Sequence, residues 1–246
     1  MLKGDELGNR MKNYELKSKL FLIPKVPVII RCDGKSFHTF CRRFEKPYDE
    51  RFNIVLGNTM QYVCKHVQGV KMAQRHSDEI SFLVSDQETI RTAAFFDYEV
   101  QKVVSVVASL TSTKFCQELL KTNDINGAWP IFDCRCFNLP EFEIGSYFWW
   151  RMLDAKRNSI QSTAQSKFSQ KTLHGKNQNE MQEMLFQQHG INWAKLPQER
   201  KTGMVCIKEM VQEEKVLRSR WIVSPAPAKK EELDLLVTKA MLKKEN

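Results

Sequence analysis

Asp33 ends the β-branched run Val28-Ile29-Ile30-Arg31-Cys32 and is followed at once by Gly34, Lys35, Ser36, Phe37 and His38. A buried strand that stops on a carboxylate and turns through Gly-Lys-Ser delivers an acid to a loop able to hold phosphate. A second acid pair, Asp78-Glu79, lies between polar Gln74-Arg75-His76-Ser77 and the apolar run Ile80 to Val84, where a hairpin would bend. Magnesium takes hard oxygen ligands and needs only one or two protein carboxylates plus substrate phosphates. Asp33 and Asp78, with the Gly34 carbonyl, supply that set if the two strand ends are neighbours, as in two-metal phosphoryl transfer. Alone, each Asp does no more than cap a turn.

The groups around these acids suit a triphosphate. Lys35, Ser36 and His38 offer donors in the manner of an anion-binding nest, without the G-x-x-x-x-G-K of a Walker loop. Lys46 and Arg75 either reach the same phosphates or are solvated, and solvation is the expected fate of each alone. Glu79 either holds a second metal, orients its waters, or points to the opposite side of its strand. His76 and His189 lack a metal-spaced partner, and Trp149 and Trp150 read as helix core sooner than as base platforms.

The elements that must position these residues follow from periodicity. Residues 5 to 19 place Leu7, Met11, Tyr14 and Leu16 among charges as a short amphipathic helix. Asp49 caps a helix with Phe52, Leu56, Met60 and Val63 on one face, ended by Gly69. Val70 to Arg75 and Ile80 to Ser85 are hairpin arms; Glu88 to Lys121 is a long helix; 123 to 130 is a turn-rich loop; Ile131 to Phe137 alternates as a strand. The order β-α-β-β-α-β is that of a split ferredoxin-like sheet, an α/β (α+β) layout that nucleotide-polymerising palm domains share with many proteins of no catalytic role. The expected organisation is a palm-like catalytic domain over 1–140, a mostly helical part over 141–223 with one late strand near Thr202 to Glu209, and a flexible linker and tail over 224–246.

Composition bounds the rest. In 246 residues, 42% are hydrophobic and 27% charged, which excludes a disordered chain. Lys plus Arg number 38 against 29 for Asp plus Glu, a formal net charge of +9 that favours a polyanionic partner. Seven cysteines without a C-x-x-C pair read as reduced thiols and argue against zinc. No run approaches the length of a membrane span and the first residues lack an apolar leader core, so the expected location is the cytoplasm.

Ile30-Arg31-Cys32-Asp33-Gly34-Lys35-Ser36-Phe37-His38, Lys46-Pro47-Tyr48-Asp49, Ser77-Asp78-Glu79 and His174-Gly175-Lys176-Asn177 resemble, in this order, the motifs of the tRNA-histidine guanylyltransferase superfamily. The likeness extends to Leu7 through Glu15 and Asp154 through Ile160. It implies a polymerase-like palm that adds nucleotides to the 5′ end of RNA. Asp33, Asp78 and Glu79 would be catalytic, with Asp33, Gly34 and Asp78 on two magnesium ions. Residues Asp33, Gly34, Lys35, Ser36, Phe37, His38, Lys46, Ser77, Asp78 and Asn158 would bind nucleotide. ATP or GTP would be substrates, a 5′-monophosphate end being activated with ATP, and tRNA the partner of a homotetramer.

Guanylyltransferases proper carry His-Ile-Asn-Asn where this chain reads Lys156-Arg157-Asn158-Ser159. Keeping only Asn158, the chain resembles the guanylyltransferase-like branch, which repairs truncated tRNA 5′ ends by templated 3′-to-5′ addition. The rivals are a true histidine-tRNA guanylyltransferase and a catalytically silent RNA-binding scaffold.

Overall fold

A computed structural model describes residues 3–122, 129–213 and 216–242. The elements in chain order are α1 (Lys3–Lys17), β1 (Val28–Gly34), α2 (Phe37–Phe40), α3 (Glu50–His66), β2 (Val70–His76), β3 (Glu79–Val84), α4 (Val100–Leu120), β4 (Phe132–Asn138), α5 (Ile144–Gln165), α6 (Gln170–Leu173), α7 (Gln178–His189), α8 (Gln198–Thr202), β5 (Met204–Glu213), β6 (Val216–Pro225) and α9 (Lys230–Met241).

The strands form one antiparallel sheet in the order β4-β1-β3-β2-β5-β6. Its first four strands, with α3 and α4, are the expected βαββαβ unit. One face carries Ile30, Cys32, Ile80, Phe82 and Ala73 onto α3 and α4, where they join Leu56, Met60, Val63, Val107 and Phe115 in the main core. The other face carries Ile29, Met72, Leu83, Val205 and Ile207 onto α5 and α9. Continuous burial of β3, all six residues, reflects this cover on both sides.

Local chemistry explains the helix starts. Asp49 caps α3, accepting from the Arg51 and Phe52 amides. The helix expected from Glu88 begins only at Val100, and the reason lies in Lys25. Its ammonium donates to the carbonyls of Asp86 at 2.7 Å, Thr89 at 3.0 Å and Thr92 at 2.7 Å. A segment wrapped around a cation in this way cannot also close a helical ladder, and it ends in left-handed backbone at Phe96, Asp97 and Tyr98. α1 forms as expected, yet Leu7, Met11, Tyr14 and Leu16 stay exposed. Six residues of the expected 123–130 loop, 123–128, lie outside the described residues.

Three other expectations change. The expected late strand is β5, but it is joined by an unexpected β6, and the two extend the sheet as a hairpin between the helical stretch that ends at Thr202 and α9. Residues 224–242 are no linker: Ala226 is buried, its amide donates to the Gly203 carbonyl at 2.9 Å, and Leu233 and Val237 of α9 enter the second core. Apolar spacing at Leu233, Leu236, Val237 and Ala240 overrides the charged look of that segment; 243–246 lie outside the described residues. Finally, Cys32 and Cys134 face each other in the β1–β4 register and are disulfide-bonded, against the expectation of reduced thiols throughout.

If α9 is part of the folded body, Leu233→Ala should cost about 2–5 kcal/mol in urea unfolding. A loss below about 0.5 kcal/mol, normal for exposed sites, would return the segment to a loose tail.

Candidate active site

β1 is sandwiched between β3 and β4, so Asp33 stands opposite Glu79 on one side and Asp133 on the other. The Gly34 amide donates to the Asp78 carbonyl at 3.2 Å, which ties the β1 end to the β2–β3 bend. The two acid-bearing turns are therefore neighbours. Ser77 takes left-handed backbone at that bend, with φ 48°, and its hydroxyl donates to Asp78 Oδ1 at 2.9 Å.

The charges here are unbalanced. Burial, then the fields of Asp78, Glu79 and Asp133, push the Asp33 carboxyl above its ordinary value. Burial lifts Asp78 as well, against the Ser77 hydrogen bond. Glu79 goes the other way: burial opposes ionisation, but hydrogen bonds and charge from His76 and Arg151 outweigh it and hold the carboxyl low. Arg151 of α5 grips both Glu79 oxygens, Nε to Oε1 at 2.7 Å and Nη2 to Oε2 at 2.6 Å, and reaches Asp154 at 3.0 Å. Glu79 thus faces the same side as Asp33 while its oxygens are engaged by a guanidinium. Neither Arg151 nor Asp133 is evident from sequence, since finding them requires the strand register and the docking of α5.

Among the described residues no cluster of three His, Cys, Asp or Glu forms a metal centre by itself. Two carboxylates with raised proton affinity and no paired cation among the described residues nevertheless fit a hard divalent ion that takes its remaining ligands from phosphate and water.

In the loop after Asp33, Gly34 is required because a β-carbon there would run into the Phe37 ring. Phe37 is core, packed on Phe40, Phe115 and Phe132. The Gly34 and Lys35 amides are spent on the Asp78 and Ile131 carbonyls. Anion-binding capacity therefore rests on the amides that open α2, which lack helical partners, and on the exposed Lys35 and His38 side chains.

Next to Asp78 opens a cavity of about 320 Å³ that Lys46, Ser77 and Asn158 all line. Its walls come from the turn before α3, the β2 end, α5 and the α8–β5 corner. Asn158 thus meets Lys46 across more than a hundred residues of sequence. Ser159 lines the cavity too and accepts from the Trp193 indole at 3.0 Å. Lys156 and Arg157 turn elsewhere: Lys156 lies over the Trp149 ring and Arg157 pairs with Asp154 at 2.5 Å. Lys176 pairs with Glu180 on α7. Trp149 packs against the second core, whereas Trp150 is half exposed beneath Arg151.

Residues 8–140 match the family model described as Thg1, tRNAHis guanylyltransferase. The chain belongs to this family. It is 30% identical over 215 residues to the probable tRNA(His) guanylyltransferase of Drosophila melanogaster, covering 82% of this chain and 73% of that one. Among solved structures, the bacterial guanylyltransferase-like protein in complex with ATP superposes with a TM-score of 0.87 at 33% identity, over 96% of this chain and 99% of that one. The bacterial protein in complex with GTP gives 0.84 at 32%, over 96% and 100%. Membership in the guanylyltransferase family makes this chain a nucleotidyltransferase on a palm fold. Among the described residues no helix is long and apolar enough to cross a membrane.

The raised carboxyls carry a sign that can be checked. Folded Asp33 and Asp78 hold protons more tightly than the unfolded chain, so their contribution to stability is complete below the ordinary carboxylate pKa and is lost as pH rises through the raised values. Asp33→Asn and Asp78→Asn should therefore raise the metal-free Tm at neutral pH, about 2–4 °C per kcal/mol of relieved repulsion at this size. Magnesium should stabilise the parent and not the variants; a lowered Tm in both variants would contradict the charge imbalance. Arg151→Met strands a buried carboxylate and should cost about 3–5 kcal/mol. Glu79→Gln in that background should recover part of the loss, and strict additivity of the two changes would dissolve the pair.

Proposed function

We propose that this chain is a magnesium-dependent 3′-to-5′ nucleotidyltransferase that adds nucleotides to the 5′ end of tRNA against a template base, and so repairs truncated ends. The observation that carries the reading is the adjacency of Asp33 and Asp78 beside the cavity of Lys46, Ser77 and Asn158. Bound acids alone repel phosphate; acids poised for a cation beside polar donors accept it.

Asp33 and Asp78, with the Gly34 carbonyl, would hold two magnesium ions. When bound, the ions lower the pKa of the attacking hydroxyl and neutralise charge on the phosphates. The remaining steps belong to this chain. Lys35, His38 and the amides that open α2 hold a triphosphate. Ser77 fixes the Asp78 carboxyl, and the Arg151 clamp keeps Glu79 ionised in place beside Asp33. A 5′-monophosphate end is first joined to the α-phosphorus of a nucleoside triphosphate, with pyrophosphate leaving. The 3′-hydroxyl of the incoming nucleotide then attacks the RNA 5′-phosphorus and the nucleoside monophosphate leaves; a 5′-triphosphate end needs no activation and releases pyrophosphate.

The net charge of +9 suits a tRNA partner, whose affinity would fall steeply with salt. Assembly as a homotetramer in the cytoplasm completes the proposal. Repair, as against dedicated histidine-tRNA maturation, is favoured by Lys156 and Arg157, whose side chains serve Trp149 and Asp154 and not the cavity.

The test is incubation with magnesium, each nucleoside triphosphate in turn, and a labelled tRNA lacking its first nucleotide. Template-matched growth should appear with the parent and fall to background with Asp78→Ala, which keeps its tRNA affinity. Growth only with GTP on histidine tRNA would replace repair by maturation, and binding without growth would leave a scaffold.

A further inference from the structure

Of the adjacent pair expected as helix core, Trp149 packs against the second core, but Trp150 is 49% exposed. Its place on α5 explains why. Tyr147 and Arg151 meet β3 through Ser81 and Glu79, whereas Phe148 and Met152 enter the second core with Val205 and Leu233. At about 100° per residue, Trp150 falls on the other side of the Tyr147–Arg151 line from Phe148 and Met152. It is therefore turned toward the β4 edge of the sheet. Tyr147 marks that side, since its ring centroid lies 5.9 Å from those of both Trp150 and Phe137 of β4.

The β4 edge is open there. Asp133 and Arg135 stand on the same side of the sheet as Asp33, and both side chains are more than half exposed. Trp150 borders this open ground and lines no part of the cavity of Lys46 and Asn158. Its orientation is fixed as well. The Arg151 guanidinium lies 4.4 Å from the Trp150 ring centroid, a cation–π contact, and the same guanidinium grips both Glu79 oxygens and reaches Asp154. What this held cation and Tyr147 leave open is an aromatic surface one guanidinium away from the carboxylate opposite Asp33.

We infer that Trp150 is the platform on which the base of the incoming nucleotide stacks while it pairs with the template. The inference rests on the reading of this chain as a templated nucleotidyltransferase. Template-directed addition has to accept each nucleotide in turn, so the protein's own contact must be with what all bases share. That is the π-face, and stacking on an aromatic side chain is sequence-tolerant for this reason. A stacked base keeps its edge free for the template, whereas a hydrogen-bonding side chain in the same place would favour one base. Reach agrees with this role. The base and the 3′-hydroxyl of one nucleotide are joined through a single ribose, and Trp150 is joined to Glu79 through a single guanidinium. A lone exposed aromatic elsewhere on a surface would need no explanation; this one is held by the group that clamps Glu79.

The test is steady-state addition of each nucleoside triphosphate opposite its complementary template base, on tRNA ends that carry a 5′-triphosphate. Such ends need no activation, so the added nucleotide is the only one the reaction consumes. Trp150→Ala should raise KM for every nucleotide by about 5- to 150-fold with kcat nearly kept. Trp150→Phe should return KM to within about threefold of the parent, while Trp150→Leu, apolar but without a π-face, should keep most of the loss. Unchanged KM in Trp150→Ala, recovery by Leu equal to that by Phe, a rise confined to one nucleotide, or a fall in kcat at constant KM would overturn the platform and leave templated addition standing. Absence of templated growth with the parent would remove the reading of the function and this inference with it. The comparison of the Phe and Leu variants decides the matter even if Trp150→Ala fails to fold.

Discussion

Because successive residues of a strand face opposite ways, a slip of one residue between β1 and β3 would carry Asp33 to the α3 side, away from Glu79 and the Asp78 bend. Several contacts hold the register. The Phe37 ring folds back on Gly34, the Gly34 amide reaches the Asp78 carbonyl, and the Lys35 amide reaches Ile131 beside β4. Cys32 and Cys134, bonded one residue behind Asp33, lock the same pairing from the core side. The aromatic cluster under this turn makes the placement of the acid a consequence of core packing, so a change at Phe115 or Phe132 reaches the site without touching it.

The acids so placed are not equivalent. Burial raises the pKa of both Asp33 and Asp78, like charges adding to it at Asp33, and of the three acids Glu79 alone is gripped by a guanidinium. Had all three been paired, the fold would gain stability and lose the unpaired carboxylates on which the proposed cation site depends. The arrangement keeps one carboxylate fixed and two in want of a counter-charge, a stability–function trade of the kind expected at reactive sites. α5 takes part because Arg151 and Tyr147, whose hydroxyl meets Ser81 at 2.8 Å, are spaced one helical turn apart along the face that covers β3.

Much of this was legible from residue order. Asp33 after a β-branched run, Asp49 before an apolar helix face and Asp78 between two strand patterns are local signals, and local signals survive without knowledge of the fold. What was not legible depends on partners distant in sequence. Arg75 reads as a surface cation until α3 and the Gly203 corner enclose it. The 88–99 segment reads as helix until Lys25, sixty residues earlier, claims its carbonyls. The α9 segment reads as either a loosely held helix or a disordered tail until Leu233 and Val237 find the far side of the sheet. Glu79 was left open among three roles because only the docking of α5 shows which group holds it.

The division of labour along the chain follows from the same geometry. The acids and the loop after Asp33 lie inside the matched stretch 8–140, on the first four strands. A smaller part of the cavity wall lies beyond it, on α5 and at the corner where Gly203 packs against Arg75. The neighbouring acids therefore sit on one segment, and the cavity beside them is completed by another. Changes in residues 155–165 or 199–203 can reshape the cavity while the carboxylates, fixed by the β1 register, remain where they are. The Lys156-Arg157 pair fits this division, since its side chains meet Trp149 and Asp154 within α5 itself and leave Asn158 and Ser159 to face the cavity.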